Sequence, residues 1–198
     1  GNDMLNPFFS LCVYLTEMVI SYAFFSSQCK PKMKNARIIA IGSAFFAMGS
    51  AINILLGNNG VVNGLATLVI NAAFARLCFV CTLRKSVFYA CILGVLNTAL
   101  EVAVISISSF AVGTSFSASG GNFPLLLFQA ITIKTLYFFI VLVLSRMIWP
   151  GDTENTLPPK FLVFPILTMV CQFLFWYICA CLDTGYEVQL LLSIASGC

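Results

Sequence analysis

No histidine occurs anywhere in the 198 residues of this chain. That absence removes Cys-His and Ser-His nucleophile pairs, HExxH zinc sites and histidine proton relays together. Charge is nearly as scarce. Asp, Glu, Lys and Arg make up 9% of the residues, against roughly 25% in ordinary soluble domains. No Gly-rich loop runs into a basic helix, and "GTSFSASGG" (113–121) lacks the lysine that a phosphate loop needs. No catalytic residue, metal or cofactor is expected.

What the chain has instead is apolar length. Hydrophobic residues account for 60% of it, and the mean hydropathy is +1.00. Apolar runs longer than about 18 residues recur along the whole sequence, each long enough to cross a bilayer as a helix. They predict spans at 5–27, 37–56, 61–82, 86–112, 123–149 and 160–182, with a seventh run starting near 187. The expected fold is an all-α polytopic transmembrane bundle, six full helices plus a truncated seventh, forming one membrane domain over 1–198. "GNDMLNPFF" has no Lys or Arg before its apolar run, so the first segment reads as a retained span rather than a signal peptide. Gly1 in place of an initiator Met, and the close on "SIASGC" within an apolar run, point to a piece of a longer protein.

The few charges are unevenly placed. Lys30, Lys32, Lys34 and Arg37 follow the first run, Arg84 and Lys85 the third, and Arg146 and Lys160 flank the break after the fifth. The alternate breaks "LGNNG", "TSFSASGGN" and "LDTGY" carry no Lys or Arg. The positive-inside rule then sets the odd-numbered loops in the cytoplasm and the N-terminus outside. The basic loop has no interleaved aromatics and reads as a topology signal in contact with anionic lipid, with no nucleic acid as partner. "GNNG" suits a tight outer turn, and "WPGDTENTLPPK" a proline-broken inner loop. In the second span Gly42 and Gly49, with Ala40, Ala44, Ala47 and Ala51, offer small surfaces for close helix packing.

Nine cysteines raise the question of metal or disulfide chemistry. Cys78 and Cys81 form a CxxC, yet within an apolar stretch and without a second pair, and Cys179 and Cys181 point to different sides of a helix. Buried, inert thiols are the expected reading. Cys29, beside the basic loop, is a position where lipidation is conceivable.

Ionisable groups inside spans cost about 2.5–3.5 kcal/mol each at the helix centre and normally face the bundle interior with a partner. Four occur: Glu17, Arg76, Glu101 and Lys134. At about 1.5 Å of rise per residue, Glu17, Glu101 and Lys134 fall at a common depth, roughly 14–18 Å below the outer end. Helices four and five are sequential neighbours, so Glu101 is the expected ion-pair partner of Lys134, with Glu17 a competing acceptor. Arg76 is near an inner end and can snorkel. Asn71, Asn97 (one turn from Glu101) and Gln172 extend the set into a polar layer that serves as interhelical glue, as a ligand pocket or as a switch.

The order of these features resembles a known family. "FFSLCVYLTEMVISYAFFSS", "LEVAVISISS", "TIKTLYFFIVLVLSR" and the proline-broken loop before "FLVFPILTMV" resemble the N-terminal transmembrane sensor domain of accessory-gene-regulator-type (AgrC-like) GHKL sensor histidine kinases. The resemblance lies in hydropathy with polar residues inserted at Glu17, Glu101 and Lys134. It implies a multi-pass domain of the bacterial plasma membrane that detects an extracellular peptide or small molecule. It also implies a homodimeric full-length protein whose cytoplasmic kinase lies outside this sequence. The peptide-processing membrane endopeptidases of quorum-sensing systems need a histidine beside their cysteine nucleophile and are excluded. From another class, the substrate-binding subunit of a vitamin transporter, or a small secondary carrier, also suits six helices with a polar layer, although no two halves carry paired Gly/Pro-interrupted helices.

Overall fold

The computed structural model describes residues 2–56, 60–113 and 123–147. They form five helices: α1 (Asn2–Gln28), α2 (Asn35–Leu55), α3 (Gly60–Cys78), α4 (Leu83–Val112) and α5 (Phe123–Met147). A helix therefore falls on each of the first five stretches expected from hydropathy, and no strand accompanies them among the described residues. The sixth span, the seventh run, Gln172, the "GNNG" turn tip, most of the outer loop 113–122 and the inner loop "WPGDTENTLPPK" lie outside the described residues. Four helices, all but α3, are long and apolar enough to cross a membrane, which fits a membrane protein.

Local chemistry sets the helix ends. Thr82 caps α4, its hydroxyl accepting from the Lys85 amide at 3.3 Å, so the helix starts at Leu83 rather than at 86. At the other end Gly113 takes the left-handed conformation (φ 71°) that closes the helix, with open space where a side chain would sit. The third helix stops at Cys78, short of the expected 82, because a neighbouring loop takes over its end. The Lys32 amide donates to the Cys78 carbonyl at 2.9 Å and the Val80 amide to the Lys30 carbonyl at 2.8 Å, making an antiparallel bridge between Pro31 and Phe79. The Lys32 ammonium also donates to the Arg76 carbonyl, and a cation is favourable at a helix C-terminus. The basic loop thus closes α3.

The helices pack in sequence, α1 on α2, α2 on α3, α3 on α4 and α4 on α5, and α5 returns to α1. The ring has an odd number of members, so its closing pair runs parallel. Gln28 Nε2 donates to the Ser145 carbonyl at 3.0 Å, and the Lys134 ammonium to a Glu17 oxygen at 2.5 Å; both pairs are 117 positions apart in the chain. α1 and α5 therefore lie side by side in register over about three helical turns.

One aromatic cluster fills the end of the bundle near the bridge. Phe25, fully buried, packs on Phe24, Phe74, Phe79 and Tyr89, and Phe46 packs edge-on against Phe74. Centroid separations are 5.6–6.4 Å, and the pairs meet edge-to-face except Phe25–Phe79, which is tilted. In α2 the two glycines sit under large neighbours. A Cβ on Gly42 would stand 2.9 Å from Phe74, and one on Gly49 2.5 Å from Ile70 and 2.9 Å from Tyr14. The alanines do not share that face: Ala40, Ala44 and Ala51 are exposed, and Ala47 is half-buried. Close packing in α2 is thus carried by glycine alone, since only glycine brings the backbone near enough for those rings.

Candidate functional site

Three helices meet at Lys134. α5 supplies the lysine, α1 supplies Glu17 from its parallel neighbour position, and α4 supplies Asn97 and Glu101 from one face, a single turn apart. The ammonium donates to Glu17 Oε1 at 2.5 Å and to Asn97 Oδ1 at 2.8 Å. Its nearest Glu101 oxygen lies at 3.6 Å, within ion-pair reach but beyond a hydrogen bond. Asn97 uses its amide nitrogen to hold that same Glu101 oxygen at 2.8 Å. The amide therefore bridges lysine and glutamate, accepting on one side and donating on the other. The Tyr137 ring lies one turn further along α5, its centroid 5.9 Å from the ammonium, and its hydroxyl donates to the Leu93 carbonyl at 3.1 Å.

The expected order of partners is thereby corrected. Glu17, reached across the ring closure, holds Lys134 directly, whereas Glu101 is the outer, looser acceptor. Sequential neighbours do meet, since α4 packs on α5, but the α4 side chain that accepts a hydrogen bond from the lysine is Asn97. The lysine and Glu17 are both more than nine-tenths buried, whereas the Glu101 side chain keeps 26% of its surface exposed. Glu17 Oε2 is buried and has no hydrogen-bond partner among the described residues. With both carboxylates ionised the cluster carries two negative charges and one positive, in surroundings where an isolated charge is expensive.

Asn71 does not join this cluster. It accepts from the Ser21 hydroxyl at 2.5 Å and donates to the Thr67 carbonyl at 2.9 Å, pinning α3 to α1 one turn from Glu17. Arg76 is exposed and donates to the Cys81 carbonyl at 2.7 Å, a role at a helix end consistent with snorkelling. Several links were not foreseen. Tyr14 donates to Asn63, Ser10 and Ser50 lie 3.0 Å apart, and Gln129 donates to Ser108 at 2.7 Å. Each ties two helices through uncharged polar side chains. Such residues are common in apolar helices and give no signal until the facing helix is known.

The CxxC cysteines do not act as a pair. Cys78 ends α3, whereas Cys81 lies beyond the bridge beside Cys29, and those two thiols perturb each other's titration. Among the described residues no group of three or more Cys, Asp or Glu side chains could hold a metal ion. Comparison with protein-family models, with curated proteins and with solved structures gives no match.

Proposed function

We propose that the chain is a signal-sensing domain of the bacterial plasma membrane, of the sensor-kinase type that its sequence resembles, with Lys134 as the moving part of its switch. The observation that carries this reading is the unequal sharing of one buried ammonium between two carboxylates on different helices, at 2.5 Å and 3.6 Å. A purely structural ion pair needs one acceptor. Here a second acceptor stands ready, held in place by Asn97 and partly open to its surroundings. A small shift of α5 toward α4 exchanges Glu17 for Glu101 and converts a local electrostatic event into a helix displacement. An extracellular peptide or small molecule that favours one pairing over the other would shift the population of the two states by its differential affinity. The displacement would pass along α5 toward a cytoplasmic kinase in a homodimer.

The test separates sensing from transport. The purified chain in lipid nanodiscs is titrated with peptide fractions of medium conditioned by the producing cells, and thermal unfolding is followed for wild type and Glu101→Gln. A saturable stabilisation of wild type that is weakened in the variant supports the proposal. Proteoliposomes given a labelled vitamin provide the opposing arm: gradient-driven accumulation inside them would assign the carrier reading instead.

A further inference from the structure

Two loops at one end of the bundle bring Cys29 and Cys81 together. The bridge between Pro31 and Phe79 is antiparallel, and its two hydrogen bonds set the pairs Lys30 with Val80 and Lys32 with Cys78. In such a ladder bonded and non-bonded pairs alternate. Cys29 and Cys81 come one residue beyond the Lys30–Val80 pair, and continuing the register sets them opposite each other at a non-bonded position, where an ideal ladder holds Cα atoms about 4.5 Å apart with the side chains closest. A disulfide needs about 4.4–6.8 Å. The side chains agree with the backbone, since each of the two thiols perturbs the titration of the other.

The surroundings divide the two thiols by role. The hydrogen bond from Cys81, aided by the Lys85 ammonium, holds Cys29 below the usual thiol range, and Cys29 is half-exposed. The same hydrogen bond and burial push the Cys81 thiol up, despite the neighbouring Lys85 and Arg76. A thiolate attacks best when it is accessible and its partner sulfur lies behind it.

We infer that Cys29 and Cys81 form a dithiol modification site, Cys29 attacking and Cys81 resolving, which closes to an intramolecular disulfide when challenged by a small disulfide such as glutathione disulfide. The Cys29 thiolate attacks one sulfur of the oxidant, forming a mixed disulfide and expelling one glutathione thiolate. Cys81 then loses its proton and attacks the Cys29 sulfur, expelling the second glutathione thiolate. The protein gives up two electrons and two protons, and the oxidant takes them up as two thiols. Thiols are kept reduced on a cytoplasmic face, where the charge asymmetry puts this end of the bundle, so closure reports an oxidative shift. The bond would fasten the inner end of α1, which carries Glu17, to the segment that starts α4, which carries Asn97 and Glu101.

The experiment titrates the wild-type chain, in native membranes, with glutathione disulfide at neutral pH, then alkylates free thiols, digests the protein and maps the peptides by mass spectrometry. The expected result is a peptide containing residue 29 joined to one containing residue 81 within a single chain, with both thiols lost to alkylation together. A variant that keeps only Cys29 and Cys81, the other cysteines replaced by serine, should lose both thiols. A companion keeping only Cys29 and Cys78 should retain a stable glutathione adduct. A glutathione adduct persisting on Cys29 in the wild type, a bond to Cys78 or between chains, or full alkylation of both thiols after the challenge would each overturn the inference.

Discussion

Replacing Lys134 by methionine keeps most of the length of the side chain and removes its charge. In the wild type the ammonium holds Glu17 and Asn97 by hydrogen bonds and stands 3.6 Å from Glu101. Its loss leaves Glu17, 6% exposed and with no other hydrogen bond among the described residues, as an uncompensated buried carboxylate. Breaking one side of a buried pair costs about 3–5 kcal/mol, which lowers the folding equilibrium constant roughly 150- to 5,000-fold. The double variant Glu17→Gln/Lys134→Met removes the charge from both sides and should recover most of that loss. The coupling between the two sites should exceed about 2 kcal/mol, in the upper part of the range for touching residues. The same cycle with Glu101→Gln should give about 1 kcal/mol or less, because that pair is longer and partly exposed. Reversible unfolding in mixed micelles supplies all four corners of each cycle. Were Lys134→Met to unfold within about 0.5 kcal/mol of wild type, or were Glu101 to couple more strongly than Glu17, the assignment of Glu17 as the inner partner would be wrong.

Gly49→Ala should destabilise the bundle in the same assay. Its Cβ would stand 2.5 Å from Ile70, an overpacking cost of about 1–3 kcal/mol against about 1 kcal/mol gained in helix propensity; Ala44→Gly, on the exposed face, should show only a propensity loss of about 1 kcal/mol. Tyr137→Phe strips the hydrogen bond from the Leu93 carbonyl and should cost about 1 kcal/mol in unfolding free energy. For orientation, a membrane-impermeant maleimide added to intact cells should label Asn58→Cys but not Lys34→Cys in a background without other cysteines; the reverse pattern would invert the topology.

The helices themselves were plain in the sequence, because a bilayer demands runs of apolar residues of fixed length and little else. The depth of Glu17, Asn97, Glu101 and Lys134 was also legible, since depth follows from counting residues along a helix of known rise. Which of them touch was not. Counting fixes height, whereas contact depends on the order of helices around the ring. Chain neighbours make a reasonable first guess, and that guess favours Glu101. The closing pair α1 and α5 leaves no local trace, because its contacts join residues 117 positions apart. The same limit hid the facing of Cys29 and Cys81, which depends on a loop register, and it placed Asn71 in a layer it does not join. In α2 small residues were visible but their faces were not. Glycine and alanine look alike to a composition argument, while only the glycines lie beneath Phe74 and Tyr14.

The parallel pairing of the first and fifth helices also dictates an order of assembly. Glu17 enters the membrane early in synthesis, and the lysine that holds it is added 117 residues later, a wait of roughly 6–23 s at about 5–20 residues per second. During that interval α1 carries a carboxyl group with no ammonium to meet it. The insertion machinery has to shelter that helix from lipid until α5 arrives. The bundle can reach its native charge arrangement only when α5 enters, so the ring is sealed by its last described member rather than built up pair by pair.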